Sequence, residues 1–309
     1  MHLTIMHISD LHAGPHFNPE KAELIIREAQ EINPTLMVLS GDMVQRADFK
    51  WQWREIRSFI DRLPESRLIV PGNHDVPQYN QIARYLWPFH RYKKYISQDL
   101  QPVFECDGMV VIGMNTARSF TIEGGKLNRK KIAWLEATLK HYGEHICKVV
   151  VMHHHVVIPP GPPDQRKVVI VGANETLDAL DRGGAELLLC GHLHLSYIGN
   201  TLEFEPDLRQ GTIIAQSGTT TSRRGRLWQR GKNSFNLIEI EDRVIRISQR
   251  MFIEDAGRFV PVSEHVFPRR SGDAYYLPRQ ERVLETSKTV PTVRPETVET
   301  SPLSSPPSQ

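Results

Sequence analysis

The stretch HISDLHAG, residues 7–14, places two histidines and an aspartate at the end of an apolar run, Leu3–Ile8, that is typical of a buried strand. Asp10 and His12 stand two positions apart where a hydrophobic core begins. A single Asp-x-His pair is more often a turn cap beside a surface histidine than a metal site. Its meaning therefore depends on which residues come after the other strands of the chain.

Apolar runs of strand length recur along the first half of the sequence and alternate with segments of helical periodicity. Runs that are apolar throughout are typical of strands covered on both faces. The predicted strands are Leu3–Ile8, Leu36–Leu39, Leu68–Val70, Met109–Met114, Val149–Met152 and Leu187–Cys190. The predicted helices are Pro19–Ile32, Trp51–Leu63, Asn128–Leu139 and a short helix ending near Arg182, with Asn128 and Asn174 as the N-caps of the last two.

After Leu195 the pattern becomes rich in strands. The predicted strands there are Tyr197–Phe204, Thr212–Gln216, Asn236–Glu241 and Val244–Phe252. An α/β first half followed by this β-rich half predicts an α/β fold with two sheets packed face to face and helices outside. We expect one domain over residues 1–268, an extension over 269–286, and a disordered Pro-, Ser- and Thr-rich tail over 287–309.

Residues 76–101 break this rhythm, because aromatic and basic side chains interleave there, from Tyr79 to Tyr95. Such a segment could stack on bases and hold phosphates. A helical insertion that packs its aromatic rings on the domain beneath is the favoured interpretation. The insertion is also a candidate cap over a substrate pocket.

The overall charge excludes some classes of protein. Lys and Arg total 38 against 36 Asp and Glu, and a net charge of +2 gives no case for a dedicated nucleic-acid or membrane-surface protein. Nucleic acid is disfavoured as a partner without being excluded. No stretch has the roughly 20 apolar residues of a membrane span, and MHLTIMHIS lacks the basic region of a secretory signal. Three cysteines without disulfide or zinc spacing complete the prediction of a cytoplasmic protein; its oligomeric state is not indicated.

Polar clusters come directly after five of the predicted strands. They are Ser9-Asp10-Leu11-His12, Ser40-Gly41-Asp42, Pro71-Gly72-Asn73-His74-Asp75, His153-His154-His155 and Gly191-His192-Leu193-His194. Ligands of open α/β sheets bind beyond the carboxyl ends of the strands, so these clusters are expected to converge. In extended backbone, residues i and i+2 point the same way, so Asp10 with His12, and His192 with His194, are expected to aim at one place.

In this order the clusters resemble the motifs of the calcineurin-like metallophosphoesterases. The family's D-x-H, GD, GNHD, H and GHxH blocks stand here as DLH, GDM, GNHD, HHH and GHLH, and the resemblance runs from about Leu3 to Phe252. It implies a four-layer fold, a two-sheet β-sandwich flanked by helices, and a phosphoesterase with two metal ions.

The resemblance also implies a role for each site residue. Asp10, His12 and His194 would hold one metal, Asn73, His153 and His192 the second, and Asp42 would bridge them. His154 or His155 would replace His153 only if the strand before them ran further. His74 would face the phosphate as a catalytic group that is not a ligand, oriented by Asp75.

Carboxylate, imidazole and amide ligands suit Mn, Fe or Zn, without selecting among them. Two such ions can hold a hydroxide that attacks phosphorus in line, while His74 protonates the departing oxygen. The motif pattern is similar to that of bacterial cyclic-nucleotide and glycerophosphodiester phosphodiesterases, so a small phosphodiester is the leading substrate. A phosphomonoesterase, a lipid-pyrophosphate hydrolase and a nuclease would use the same centre.

The alternative outside the enzymes is a catalytically silent metal-binding scaffold, which would be expected to have lost a ligand or His74. Four arginines come from segments near the expected site. Arg118 could reach a phosphate, but a surface ion pair is the favoured interpretation. Arg223, Arg224 and Arg226 are expected in a solvated loop at the rim.

Overall fold

The computed structural model describes residues 2–160 and 169–269. In chain order the strands are β1 (His2–Ile8), β2 (Leu36–Leu39), β3 (Arg67–Ile69), β4 (Val103–Cys106), β5 (Met109–Met114), β6 (Cys147–Met152), β7 (Leu187–Cys190), β8 (Tyr197–Asn200), β9 (Ile213–Gln216), β10 (Ser234–Glu241), β11 (Val244–Ile253) and β12 (Arg258–Pro268). The helices are α1 (Pro19–Ile32), α2 (Lys50–Ile60), α3 (Gln81–Leu86), α4 (His90–Tyr95), α5 (Arg129–His141) and α6 (Ala173–Gly183). The predicted disordered tail, and all of the predicted extension after residue 269, lie outside the described residues.

The strands form two six-stranded sheets, with the orders β12-β11-β10-β1-β2-β3 and β4-β5-β6-β7-β9-β8. In the first sheet β1 runs parallel to β2 and antiparallel to β10. In the second sheet β5, β6, β7 and β9 are parallel neighbours. Each sheet therefore combines strands from both halves of the chain, which brings the strand ends of the α/β half beside loops of the β-rich half.

Alternation of side chains along each strand builds three apolar layers. Ile5 of β1 packs with Val38, Val149 and Ile238 between the two sheets. Its neighbour Met6 faces the helices instead, in the cluster that includes residues of α1 and α2. A third cluster joins α5 and α6 to the other face of the second sheet. This is the predicted fold: a mixed α/β structure with two sheets flanked by helices.

Most element boundaries lie within three residues of the predicted ones: β6 begins at Cys147 rather than Val149, and α2 ends at Ile60 rather than Leu63. The Asn128 side chain accepts a hydrogen bond from the backbone N–H of Lys131, as expected of an N-cap. The prediction that Asn174 caps α6 is wrong, because Gly172, with a φ of 90°, already turns the chain into the helix. The strand predicted to reach Phe204 ends at Asn200, whose side chain accepts from Leu202 N–H and starts a short 3-10 turn.

The insertion contains the two short helices α3 and α4. Tyr92 is buried and donates its hydroxyl hydrogen bond to the carbonyl of Ile69 at 3.0 Å, which anchors α4 to the first sheet. Three other rings stay in solvent, with exposed fractions of 66% for Tyr79, 52% for Tyr85 and 60% for Trp87. The expectation that the aromatic rings pack on the domain beneath is thus correct for α4 and wrong for these three, which lie in and around α3.

None of the helices in residues 2–160 and 169–269 has both the length and the apolarity that crossing a membrane requires.

Candidate metal centre

The five predicted clusters meet at one place, beyond the carboxyl ends of β1, β2, β3, β6 and β7. Two groups of side chains there can each hold a metal ion, with their ligand atoms within 4.8 Å of one another. One group is Asp10, His12, Asp42 and His194, and the other is His153, His154 and His192. The chain therefore has a buried cluster of Asp and His residues that is able to bind metals.

Asp10, His12 and His194 form the first half of this cluster. Oδ1 of Asp10 lies 3.1 Å from Nε2 of His194 and 3.6 Å from Nε2 of His12. Nδ1 of His194 faces the carbonyl of Arg224 at 3.0 Å. Because a carbonyl only accepts, this nitrogen carries a proton, and Nε2 is the ring nitrogen that faces Asp10.

The second half is built around Asn73. Its Nδ2 donates to the carbonyl of Ile122 at 3.0 Å, so Oδ1 is the amide atom that faces the cluster. That oxygen lies 3.1 Å from Nε2 of His153 and 3.0 Å from Nδ1 of His192. Nδ1 of His153 donates to the Ser40 carbonyl at 2.7 Å, which again leaves Nε2 facing inward.

Asp42 stands between the two halves. Its Oδ2 lies 3.7 Å from Nε2 of His12, and its Oδ1 lies 3.3 Å from Nε2 of His153. The backbone N–H of His74 donates to Oδ1 at 2.9 Å and fixes the carboxylate in this orientation. One carboxylate therefore presents an oxygen to each half, which is the arrangement that a bridging ligand requires.

His153 comes directly after β6, which ends at Met152 as the sequence predicted. The next histidine, His154, is also buried, and its Nδ1 pairs with Thr116 Oγ1 at 2.7 Å. Its Nε2 has no hydrogen-bond partner among the described residues. The ring centroids of His154 and His192 lie 4.6 Å apart, so His154 borders the second half without reaching Asp42 in the way that His153 does.

The side chains of the cluster are directed by left-handed backbone rather than by extended backbone. Seven residues other than glycine have positive φ in the described ranges, and five of them are predicted ligands. These are Asp10 (53°), His12 (50°), Asp42 (54°), His192 (73°) and His194 (54°). The expectation of extended i, i+2 pairs is therefore wrong, and His192 and His194 face different halves. Because L-residues pay a conformational cost in this region, such a concentration is typical of a functional site.

The glycines of the motifs permit close approach. A Cβ on Gly41, whose φ is 102°, would collide with the ring of His153. A Cβ on Gly72 would collide with the backbone and carboxylate of Asp42. Both positions therefore exclude any side chain, so only glycine permits this close approach.

The residues present fit a cationic group at this position. Oδ1 of Asp10 is fully buried and has no hydrogen-bond partner among the described residues. Burial opposes the ionisation of Asp10 and Asp42, but the surrounding imidazoles outweigh it and hold the pKa of both carboxyl groups well below the usual range. Burial also lowers the pKa of His12 and His192, so both rings are neutral and have a lone pair for a metal.

His74 lies beside the cluster, with Nε2 4.0 Å from Oδ2 of Asp42. The predicted contact with Asp75 is not what orients its ring. Nδ1 of His74 instead donates to the carbonyl of Gln45 at 2.8 Å. The Asp75 carboxylate accepts from the backbone N–H groups of Gly72, at 2.8 Å, and Val44, at 3.2 Å. Asp75 thus closes the turn that carries Asn73 and His74, and these backbone donors occupy its oxygens.

Arg224 is the site residue that sequence reasoning placed wrongly. Arg223 and Arg226 are exposed, as expected of a solvated loop, but Arg224 is half-buried. Its Nη1 lies 3.2 Å from Nε2 of His74 and 3.3 Å from Nδ1 of His12. The available signal was positional, because the polar run Thr219–Arg224 comes after β9 and so leaves the same edge of the sheet as the other clusters.

A cavity of about 540 Å³ opens onto this cluster. Its lining includes Asp42, Asn73, His74 and His192, together with the glycines Gly124 and Gly125 and the arginines Arg118, Arg224 and Arg226. Arg118 is one of them, and its Nε donates to Thr121 Oγ1 at 3.0 Å. It forms no ion pair with any described residue, so the expected surface ion pair is not found. The volume is in the range of small-molecule sites.

Known structures share this fold. The chain is similar to the purple acid phosphatase PPD1 from yellow lupin (Lupinus luteus) seeds, at 10% identity and a TM-score of 0.63, over 87% of this chain and 54% of that one. It is also similar to PhoD, at 11% identity and a TM-score of 0.63, over 87% of this chain and 70% of that one. The chain thus spans about half the length of the lupin phosphatase, and at these identities the likeness concerns the fold alone. No curated protein matches the chain.

A sequence model of one family matches residues 3–196, more than half of the chain. The matched residues include every predicted metal ligand, from Asp10 to His194, and the carboxyl ends of all five strands that converge on the cluster. By this match, and by the two-sheet fold that carries the cluster, the chain belongs to the family of calcineurin-like phosphoesterases.

Proposed function

We propose that this protein hydrolyses phosphate esters with a centre of two metal ions. The family implies a phosphoester hydrolase. The observation that carries the proposal is the position of Asp42, whose two carboxylate oxygens face His12 on one side and His153 on the other. Membership of the family does not require that arrangement, and a silent scaffold would have no need to keep it.

The ligand sets correspond to the two halves of the cluster. Asp10, His12 and His194 would hold one ion, and Asn73, His153 and His192 would hold the other, with Asp42 shared. The contacts of His153 with Asn73 and Asp42 support His153 over His154 as the ligand from the HHH run. These oxygen and nitrogen donors suit Mn, Fe or Zn.

When bound, such a pair of ions polarises phosphoryl oxygens and lowers the pKa of a water molecule to supply the nucleophile. The chain's own residues would do the rest. Asp10 and Asp42 compensate positive charge in a buried site. The Gly41 and Gly72 turns keep the site narrow by leaving no side chain beside Asp42 and His153.

His74 would protonate the leaving group. The Gln45 carbonyl holds its Nδ1–H, which directs Nε2 toward the cavity and toward Asp42 Oδ2. A histidine so placed can give a proton from Nε2 to the departing oxygen. Asp75 would act through the backbone, since it holds the turn on which His74 lies.

Phosphodiesters are the substrate class that we propose first. The support is the similarity of the motif blocks to those of bacterial cyclic-nucleotide and glycerophosphodiester phosphodiesterases. The cavity of about 540 Å³ is also in the size range of small-molecule sites. Monoesters, a nucleoside-diphosphate lipid and nucleic acid belong to the same test as alternatives.

The insertion is proposed as a cap that selects the substrate. Tyr79 lies 3.4 Å from Nε of Arg46, and Arg46 contacts the ring of His74. The ring of Tyr85 lies 5.6 Å from that of Phe120, next to the loop whose Ile122 carbonyl holds Asn73. Replacement of Tyr79 and Tyr85 by Ser should change the ratio of kcat/KM between large and small esters. An unchanged ratio would remove this role.

The function is tested by metal analysis followed by a substrate panel on the same preparation. The panel sets bis-p-nitrophenyl phosphate and several cyclic nucleotides against a nucleoside-diphosphate lipid, a single-stranded oligonucleotide and p-nitrophenyl phosphate. We expect hydrolysis that requires metal and favours the diesters. Fully metal-loaded protein that hydrolyses no member of the panel would count against the proposal.

A further inference from the structure

Arg224 brings a positive charge into the cavity beside the cluster. Its Nη1 lies 3.2 Å from Nε2 of His74, 3.2 Å from Oε1 of Gln45 and 3.3 Å from Nδ1 of His12. The side chain lines the same cavity as Asp42 and His192. A guanidinium thus occupies the space directly over the group that would protonate the leaving oxygen.

In the described part of the chain, this guanidinium forms no ion pair, although the nearby carboxylates of Asp42 and Asp10 favour its charged form. Within the described ranges, no Asp or Glu oxygen lies within 4.0 Å of Arg224, and its three side-chain contacts are all to neutral atoms. Arg62, in contrast, pairs on the surface with both carboxylate oxygens of Glu23. A half-buried guanidinium that forms no ion pair can bind an anion.

A purely structural role for the side chain is not supported by its contacts. The part of Arg224 that orients a ligand is its backbone carbonyl, which accepts from Nδ1 of His194 at 3.0 Å. That carbonyl stays in place whatever side chain the residue carries. The loop is also held by Thr219 and Thr221, whose hydroxyls donate to the carbonyls of Asp10 and Leu11.

We propose that Arg224 binds a non-bridging oxygen of the substrate's phosphoryl group. The ligand is a phosphate ester or inorganic phosphate, because the fork of N–H donors on a guanidinium matches two phosphoryl oxygens. In this structure Nη1 of Arg224 donates a hydrogen bond to Nε2 of His74. That the bound phosphoryl group belongs to a substrate rests on the proposed function. That Arg224 binds an anion rests on its geometry alone.

The test is calorimetric titration of the metal-loaded full chain with inorganic phosphate. The variants are Arg224→Gln, Arg224→Lys and, as the matched control, Arg223→Gln, since Arg223 is the exposed neighbour on the same loop. We expect Arg224→Gln to weaken phosphate binding about 10- to 100-fold, the range for a lost hydrogen bond to a charged group. Arg224→Lys should recover part of the affinity, and Arg223→Gln should bind as the unaltered protein does.

Metal content is measured in every variant. Unchanged phosphate affinity in Arg224→Gln would overturn the inference, and so would a loss that tracks a loss of metal. Catalysis is a separate readout. If the unaltered protein hydrolyses no ester but Arg224→Gln loses phosphate affinity, the proposed function fails while the anion site stands. If hydrolysis is observed and Arg224→Gln leaves kcat/KM and phosphate affinity unchanged, the function stands and the anion site fails.

Discussion

The Nε2 atoms of His12 and His194 lie 2.9 Å apart at one buried point, although 182 positions separate the two residues along the chain. The Arg224 carbonyl holds a proton of His194 on Nδ1, and Nε2 is the ring nitrogen of His194 that faces His12. Oδ1 of Asp10, which has no hydrogen-bond partner in the described part of the chain, faces the same point. Two ring nitrogens and a carboxylate oxygen thus face one another in a buried place. Such an arrangement is stable only around a cation or a proton.

Removal of metal should therefore destabilise the protein. A ligand that binds only the folded state at 100 times its Kd adds about 2.7 kcal/mol to the free energy of unfolding. For a chain of this size that corresponds to a rise in Tm of roughly 4–5 °C. We expect the Tm measured by calorimetry to fall by this amount on chelation and to return on addition of Mn²⁺ or Zn²⁺. Equal Tm values with and without metal would contradict a metal site here.

Replacement of His74 should slow hydrolysis in a way that depends on the leaving group. With an alkyl diester, His74→Asn should lower kcat about 100-fold or more, because the departing alkoxide needs the proton. With a p-nitrophenyl ester the loss should be much smaller, because nitrophenolate leaves without one. Kinetics on both esters measure the difference, and the exposed His90 provides the control variant His90→Asn. An equal loss on both esters would assign His74 another role.

A buried ion pair directly after β12, the last strand, should contribute strongly to the free energy of unfolding. Arg269 pairs with Glu186 through two contacts of 3.0 and 3.2 Å, and both residues are only 4% exposed. Arg269→Met leaves a buried carboxylate without its partner, so we expect a loss of about 3–5 kcal/mol in urea unfolding. The exposed pair of Arg62 with Glu23 is the control, and Arg62→Met should have little effect. Similar effects of the two substitutions would contradict a stabilising role for the buried pair.

The sequence predicted the fold and the place of the site because both depend on strand ends. An apolar run that ends in Asp, Asn or His is visible in a single sequence, and the order of five such runs identifies the family. The two strands that were not predicted, β4 and β12, are edge strands with half-exposed, mixed patterns, so hydrophobic alternation marks them poorly.

Three features could not be read from residue types. The left-handed backbone at Asp10 and His194 depends on contacts with loops far along the chain, such as the hydroxyl of Thr219 on the Asp10 carbonyl. The partner of His74 is a backbone carbonyl, and any residue at position 45 could supply one. The burial of Arg224 between exposed Arg223 and Arg226 reflects the path of one loop rather than a periodic pattern.

His7 should make the free energy of unfolding fall as the pH is lowered. Burial lowers the pKa of His7 to about 3, and its Nε2 pairs with Ser40 Oγ at 2.8 Å. The unfolded chain takes up a proton at this residue near pH 6.5, while the folded chain stays neutral to about pH 3. The free energy of unfolding should therefore fall by about 1.4 kcal/mol for each pH unit below 6.5 on account of this group.

The measurement for His7 is urea unfolding between pH 6.5 and 5 in the presence of a chelator, so that metal release does not contribute. His7→Gln keeps a polar side chain near Ser40 but takes up no proton. Its stability should vary less steeply with pH than that of the unaltered protein. Parallel pH profiles would show that His7 is not the group responsible.

The most direct test of the two-metal centre is the Asp42→Asn variant, because Asp42 is the only side chain proposed as a ligand of both ions. Metal per chain is measured by mass spectrometry, and hydrolysis of bis-p-nitrophenyl phosphate is measured on the same sample. We predict two ions per unaltered chain, fewer in the variant, and a loss of activity of roughly 100-fold or more. A variant that keeps both ions and hydrolyses the diester at the unaltered rate would contradict a bridging role for Asp42 and with it the two-metal mechanism.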